Sequence, residues 1–154
     1  VEAAVTEFGI PMSIMTVEVT EEETLSAGRT AVETLTELRA RGMHVAIDDF
    51  GTGYAGLDSF RSVPADLVKV DRSFVDEMLR NDEDFELVRS MLDLIYRFGK
   101  LAVAEGIETQ EQLVALRDMG CEYGQGFLFS KPVEFDDFPA GETLPKGVLP
   151  VRPF

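Results

Sequence analysis

Charged or polar side chains recur at the ends of short apolar segments in this sequence of 154 residues. In chain order they are Glu18, the pair Asp48 and Asp49, Lys69, Glu105 and Gln125. Carboxylates that converge on one point repel each other unless a cation lies among them. Oxygen ligands suit hard divalent ions, so the first hypothesis is a metal site that includes the acidic residues.

The adjacent pair Asp48-Asp49 is the sharpest of these signals. Side chains of neighbouring strand residues point to opposite faces, so two such carboxylates at a strand end bind one metal or bridge two. Gly51 and Gly53 follow and allow a tight, mobile loop to approach a ligand. The alternative is an ordinary acidic turn after a strand, where Asp and Gly are common.

Lys69 lies within Leu67-Val68-Lys69-Val70, an apolar run that is typical of a strand buried in a parallel sheet. A lysine in such a place needs a carboxylate or a ligand as its partner. Two interpretations stay open. Lys69 orients an attacking water or binds a phosphate oxygen, or it forms a purely structural pair with an acidic residue.

The remaining polar positions are ambiguous on their own. Glu18 alternates with two valines along its segment, so its side chain points away from theirs. Glu21 and Glu108 are either site residues or negative charges that favour the start of the following helix. Gln125, between two glycines, either holds a ligand or closes a turn. Cys121 and His44 are interpreted as core or near-core residues rather than ligands, because neither has a second Cys or His at ligand spacing.

An α/β fold with a parallel sheet is predicted from apolar strand segments that alternate with amphipathic helical segments. Strands are predicted at residues 13–19, 44–48, 67–70, 101–104 and 124–129, and helices at about 26–41, 84–98 and 109–119. The steps between the polar positions scatter around the roughly 31 residues per unit of a TIM barrel. Only about five such units fit, so the sequence predicts a smaller open sheet or part of a barrel.

Composition and charge limit the functional classes. The 45% hydrophobic and 28% charged residues describe a folded domain, predicted over residues 1–138, with an irregular tail rich in Pro and Gly over 139–154. The net charge of −15 argues against DNA or anionic lipid as a partner. Apolar runs are too short for membrane insertion. The single Cys121 cannot form an internal disulfide, which favours a cytoplasmic location.

Five stretches, in order, resemble the motifs of the EAL domain family, the cyclic diguanylate phosphodiesterases of bacterial signalling. They are Val17–Glu21, Asp48–Tyr54, Leu67–Val75, Ala104–Thr109 and Gln125–Pro132. The resemblance extends to about Phe138. It implies a TIM-like (β/α) barrel, here an incomplete barrel of about five strands. It also implies hydrolysis of cyclic di-GMP to linear pGpG at a site with two Mg²⁺ or Mn²⁺ ions.

The resemblance further implies a role for each matching residue. Glu18, Asp48 and Asp49 correspond to metal ligands. Lys69 corresponds to the residue that positions the hydrolytic water, and Glu105 to the general base or water holder. The positions that line the substrate or support the site correspond to Glu108, Gln125 and Glu21, the last of which anchors the loop after Asp49.

The Glu-Ala-Leu segment and a metal-ligand Asn of the family have no counterpart in this sequence. We therefore interpret the chain as the C-terminal portion of an EAL domain and do not expect activity from the isolated chain. The resemblance implies a homodimer with upstream sensory or regulatory domains, or the cytoplasmic part of a membrane-anchored protein. One alternative is a non-catalytic module that binds cyclic di-GMP or a protein. Another is a phosphoacceptor receiver domain, which requires its acidic pair on the first strand.

Overall fold

A computed structural model describes residues 7–53 and 57–134, without the side chains of residues 21, 24–27 and 57–59. The strands are β1 (Thr16–Thr20), β2 (His44–Phe50), β3 (Leu67–Val70), β4 (Leu101–Ala104) and β5 (Tyr123–Gly124). The helices are α1 (Glu21–Ala40), α2 (Leu57–Ser62), α3 (Arg72–Glu77), α4 (Asp82–Arg97) and α5 (Gln110–Asp118), and a 3₁₀ turn spans Met12–Ile14. The predicted tail at 139–154 lies outside the described residues, so the boundary near residue 138 stays a prediction.

All five strands are parallel and lie in the sheet in their sequence order, β1-β2-β3-β4-β5. Each of the first four strands is followed by helical chain that returns to the start of the next strand, which confirms the predicted α/β architecture. The carboxyl ends of all five strands therefore lie along the same edge of the sheet. Within residues 7–53 and 57–134, none of the helices has the length and apolar character that crossing a bilayer requires.

One face of the sheet packs against the helices, because alternate strand residues point the same way. Val45, Val68, Val70 and Ala104 are buried on that face. They pack with helical side chains that include Val75, Val88, Leu92, Ile95 and Leu116. Glu18 and Lys69 lie at the intervening strand positions, whose side chains point to the opposite face of the sheet.

The first predicted helix starts at Glu21, five residues before the predicted residue 26 (26 − 21), whereas its end and the bounds of the last helix lie within one residue of the prediction. Helix α1 begins at Glu21 with a capping box between Thr20 and Glu23, and its backbone is non-helical at Gly28, where φ is 58°. The chain leaves this helix through Gly42, one residue after the predicted end at residue 41. Helix α5 begins with a capping box, in which Thr109 and Gln112 bind each other's backbone N–H groups.

Several features differ from the sequence prediction. The strand predicted at residues 13–19 begins only at Thr16, because the 3₁₀ turn Met12–Ile14 lies before it, and the strand predicted at residues 44–48 extends to Phe50. Two helices were not predicted. Helices α2 and α3 each have only six residues, too few to show a helical repeat of apolar positions. The strand predicted at residues 124–129 is wrong beyond Gly124, where β5 ends. There the Ile107 N–H donates to Gln125 O and the Leu128 N–H donates to Ile107 O, so this segment pairs with the loop after β4 instead.

Candidate active site

The centre of the site is the ammonium group of Lys69, which lies within hydrogen-bond distance of three carboxylates. The distances from Nζ are 2.9 Å to Glu18 Oε2, 2.8 Å to Asp48 Oδ1 and 2.7 Å to Glu105 Oε1. These acids come from β1, from β2 and from the residue after β4, while Lys69 lies on β3 between them. The structure therefore brings four of the predicted site residues together at the edge where parallel strands end.

The pKa of Lys69 lies above that of an ordinary lysine. Burial by itself lowers this pKa, but the hydrogen bonds to Asp48, Glu105 and Glu18 outweigh the burial and raise it. The side chain is 11% exposed and carries its charge at neutral pH. Lys69 is thus a donor and a positive charge, not a base.

The charges of this group do not balance. Three ionised carboxylates around one ammonium give −3 + 1, a net charge of −2. A one-to-one structural pair between Lys69 and an acidic residue does not describe this arrangement. The surplus negative charge equals the charge of one divalent cation.

Asp48 and Asp49 converge, although strand alternation predicts that neighbouring side chains diverge. The pairing register between β2 and β3 shifts between Ile47 and Phe50, so the pair lies in a bulge. Asp49 also has a left-handed backbone, with φ of 54°. The bulge and this conformation remove the alternation at the point where the two carboxylates are needed.

Oxygen atoms of Asp48, Asp49 and Glu105 lie within 4.8 Å of one another. This all-carboxylate donor set fits a hard cation such as Mg²⁺ or Mn²⁺. Burial raises the pKa of Asp49, and the charges of Asp48 and Asp71 raise it further. Burial also raises the pKa of Glu105, although the Lys69 ammonium opposes that effect. Both pKa values are thus raised mainly by burial, and the charges of neighbouring carboxylates add to the effect.

An open cleft of about 440 Å³ adjoins the carboxylate group. Gln125 lines it and donates from Nε2 to Glu105 Oε1 over 2.6 Å. Glu108 also lines it, and its carboxylate binds Arg72 rather than the start of α5, which Thr109 caps. The remaining lining residues are Arg72, Glu105, Gly106, Gly126, Phe127, Ser130, Lys131 and Pro132.

Arg72, Phe127 and Lys131 line the cleft but were not predicted from the sequence as site residues. Arg72 lies only two residues after the end of β3, where the following helix begins, and this closeness to a strand end is the sequence signal that could have indicated it. The side chain of Glu21 lies outside the described part of the chain. Its predicted role as a loop anchor therefore stays a prediction.

His44 and Cys121 lie away from the carboxylate group. His44 begins β2, at the opposite edge of the sheet, with Nδ1 4.0 Å from Asp66 Oδ2. Cys121 is a buried free thiol that donates to Tyr123 O, and burial raises its pKa to about 11. For Cys121 the interpretation as a core residue is confirmed, whereas His44 is half-buried.

The sequence matches the EAL domain family over residues 1–132. The cyclic di-GMP phosphodiesterase RocR of Pseudomonas aeruginosa is 37% identical over 138 residues, which cover 90% of this chain and 35% of that protein. The chain thus spans about a third of the length of RocR, and less of other curated relatives that it matches.

Solved structures give the same relationship. The EAL domain of Mycobacterium smegmatis DcpA has a TM-score of 0.82 and 41% identity, covering 96% of this chain and 66% of that one. The manganese and cyclic di-GMP complex of Klebsiella pneumoniae BlrP1 has a TM-score of 0.77 and 35% identity, covering 84% and 33%. These structures confirm the predicted fold: the five-stranded parallel sheet with its helices is an incomplete TIM-like barrel.

Proposed function

Because this chain belongs to the EAL domain family, we propose that its site serves a metal-dependent phosphodiesterase that hydrolyses cyclic di-GMP to linear pGpG in bacterial second-messenger signalling. The observation that carries the proposal is the group of three carboxylates around Lys69 at the strand ends. RocR is named a cyclic di-GMP phosphodiesterase, and BlrP1 was solved with manganese and cyclic di-GMP. Both names support the choice of substrate.

The metal ligands in this proposal are Glu18, Asp48 and Asp49, with Mg²⁺ or Mn²⁺ as the ions of a two-metal site. Asp48 and Asp49 already lie within reach of a common cation together with Glu105. When bound, such ions lower the pKa of a coordinated water and neutralise phosphate charge. The chain itself supplies the hard oxygen donors for which these ions have a preference.

Lys69 and Glu105 are the catalytic residues in this proposal. Lys69 keeps its proton, so its Nζ is suited to orient a water molecule or a phosphate oxygen by donation. Glu105 accepts hydrogen bonds on Oε1 from both Lys69 Nζ and Gln125 Nε2, which fix the orientation of its carboxylate. Burial raises the pKa of Glu105, which makes it a better proton acceptor for that water.

Glu108 and Gln125 are substrate-binding or supporting residues in the same proposal, and Glu21 supports the loop after Asp49. The cleft beside Glu105 offers Arg72 and Lys131 as positive charges near a substrate with two phosphates. We extend the proposal to a cytoplasmic homodimer regulated by sensory domains upstream in a longer chain. DNA is not among the proposed partners, because the net charge of −15 opposes contact with its phosphates.

Product analysis of the native full-length protein tests this function. The protein is incubated with cyclic di-GMP and Mn²⁺, and the nucleotides are separated by chromatography. We expect linear pGpG from the wild type, and a loss of about 10²-fold or more in kcat for Glu105→Gln, since general bases contribute that much. Arg89→Ala, on an exposed helix face, is the matched control and should turn over like the wild type.

The same incubation separates the catalytic proposal from the binding module. Tight binding of cyclic di-GMP without any product, in Mn²⁺ and in Mg²⁺, would favour the non-catalytic module. The absence of both binding and product would contradict both proposals. Product that forms equally fast in Glu105→Gln would contradict the assigned role of Glu105 while leaving the activity intact.

A further inference from the structure

Arg72 lies outside the carboxylate group around Lys69, yet its guanidinium contacts acidic residues from two different elements. Nη2 is 2.7 Å from Glu108 Oε1, and Nε is 2.9 Å from Asp76 Oδ2. Asp76 lies one turn further along α3, whereas Glu108 belongs to the loop between β4 and α5. One side chain therefore ties this loop to a neighbouring helix.

The hydrocarbon part of Arg72 contacts the same loop at a second point. A Cβ atom on Gly106 would lie 2.3 Å from Arg72 Cγ and 2.8 Å from its Cβ and Cδ. The stem of Arg72 therefore packs directly on the backbone of Gly106, the residue that follows Glu105. In addition, the Glu105 N–H donates to Val70 O over 3.1 Å, two residues before Arg72. The loop is thus held on both sides of Gly106.

The exposure of the ion pair argues against a role in stability. The side chains of Arg72 and Glu108 are 50% and 39% exposed. Water and salt screen ion pairs at such exposure, so they contribute little to the free energy of unfolding. Both residues nevertheless line the cleft beside Glu105, where the orientation of a side chain affects a bound substrate.

We propose that Arg72 is a positioning residue, which acts through Glu108 and Gly106 to hold the loop of residues 105–109 in the conformation that forms the cleft wall. The choice of cyclic di-GMP as the substrate rests on the proposed function, but the contact with the loop does not. Two different nitrogens of the planar guanidinium donate here, Nε to Asp76 and Nη2 to Glu108, and the single charged nitrogen of a lysine does not reproduce that fixed geometry.

Steady-state kinetics of the native full-length protein with cyclic di-GMP and Mn²⁺ provide the first test. For Arg72→Ala we expect KM to rise about tenfold while kcat stays within about threefold, the pattern of lost ground-state binding. Arg72→Lys should fall between Arg72→Ala and the wild type. Arg89→Ala removes the same charge at an exposed pair with Glu86, so its KM should stay within about twofold of the wild type.

A double-mutant cycle shows whether Arg72 acts through Glu108. If it does, Arg72→Ala combined with Glu108→Gln should raise KM no further than the larger single effect, since coupled residues are not additive. Asp76→Asn removes the other partner and leaves the contact with Glu108, so a small effect is expected. Additive effects of Arg72→Ala and Glu108→Gln would overturn the proposal.

Amide hydrogen exchange tests the loop without any need for turnover. In the wild type, the Ile107 N–H donates to Gln125 O, and the Glu108 and Thr109 N–H groups donate to Gln112 Oε1. Arg72→Ala should speed exchange of these amides about tenfold, as expected for easier local opening, while amides of β3 keep wild-type rates. Arg89→Ala should leave both sets of rates unchanged.

The two readouts fail in different ways. Faster loop exchange in a protein that does not hydrolyse cyclic di-GMP would contradict the proposed function and support the positioning role. Hydrolysis by the wild type, with Arg72→Ala indistinguishable from Arg89→Ala in KM and in loop exchange, would overturn the positioning role alone. Equal acceleration throughout β3 and the loop would also overturn it, because Arg72 would then stabilise the fold as a whole.

Discussion

Replacement of Lys69 by methionine should destabilise the metal-free protein strongly, because it removes the counter-charge from three carboxylates. Breaking a buried ion pair typically costs about 3–5 kcal/mol. Glu18 is 47% exposed and Asp48 25% exposed, so water shields part of the repulsion. We therefore expect the lower end of that range, about 3 kcal/mol at neutral pH.

The pH dependence of this loss follows from the direction of each pKa. The pKa of Lys69 is raised in the folded protein, so its full contribution to the free energy of unfolding is present below the pKa of an unfolded lysine, about 10.4. This contribution is lost only at higher pH. In Lys69→Met the carboxylates repel each other, so their pKa values rise on folding. The folded variant then binds more protons than the unfolded chain, and its stability increases as the pH falls. The difference in free energy of unfolding between Lys69→Met and the wild type should therefore become smaller as the pH falls from about 7 to about 5.

Urea unfolding followed by circular dichroism is the measurement, with EDTA and then with Mn²⁺. With an m-value of about 2 kcal/mol/M, the expected loss lowers the midpoint by about 1.5 M. Mn²⁺ at 100 times its dissociation constant adds about 2.7 kcal/mol to the free energy of unfolding of any protein that binds it only when folded. Because the metal replaces the missing positive charge, it should bind Lys69→Met more tightly than the wild type.

Lys131→Met is the matched control, since Lys131 lies outside the carboxylate group, and its unfolding free energy should change by less than about 0.5 kcal/mol. Equal urea midpoints for Lys69→Met and the wild type in EDTA would contradict this role of Lys69. A difference in unfolding free energy of the same size at pH 7 and at pH 5 would contradict it as well. Either result would mean that Lys69 does not balance the charge of these acids.

Three further predictions concern the loop, the thiol and the core. Gly106→Ala should lower the free energy of unfolding by at least about 1 kcal/mol more than Gly99→Ala, since both glycines have φ near 70° but only Gly106 lies against Arg72. Equal urea midpoints would contradict this contact. Burial raises the pKa of Cys121 to about 11, so iodoacetamide at pH 8 should label the folded protein at least about 100-fold more slowly than the urea-unfolded chain. Equal rates by mass spectrometry would show that the thiol is accessible. Leu92→Ala should lower the free energy of unfolding by about 2–5 kcal/mol because this side chain is 1% exposed. A calorimetric change below about 1 kcal/mol would place Leu92 outside the core.

The sequence was sufficient to predict the number of strands, their alternation with helices and which polar residues lie at their ends. Lys69 lies between Val68 and Val70, both of which are fully buried, so the alternation of side chains places the lysine on the other face. Parallel strands end at a common edge, which brings Glu18 and Glu105 to this lysine although they are 51 and 36 residues from it (69 − 18 and 105 − 69).

Features that depend on distant backbone contacts could not be predicted in this way. The convergence of Asp48 and Asp49 results from a bulge that exists only when β2 pairs with β3. The early end of β5 results from hydrogen bonds to the loop at Ile107. The position of Arg72 depends on its packing against Gly106, 34 residues later (106 − 72). Local residue patterns contain no information on such contacts.

The order of the strands has a consequence for how the protein is made on the ribosome. Each strand pairs with the strand that precedes it in the sequence, so the sheet can grow at one edge as the chain emerges. Glu18 and Asp48 emerge before Lys69, which follows Glu18 by 51 residues. At about 5–20 residues per second, Glu18 waits roughly 3–10 s for this counter-charge, and Asp48, which precedes Lys69 by 21 residues (69 − 48), waits roughly 1–4 s. Until Lys69 emerges, only water and dissolved ions screen the repulsion between these two carboxylates.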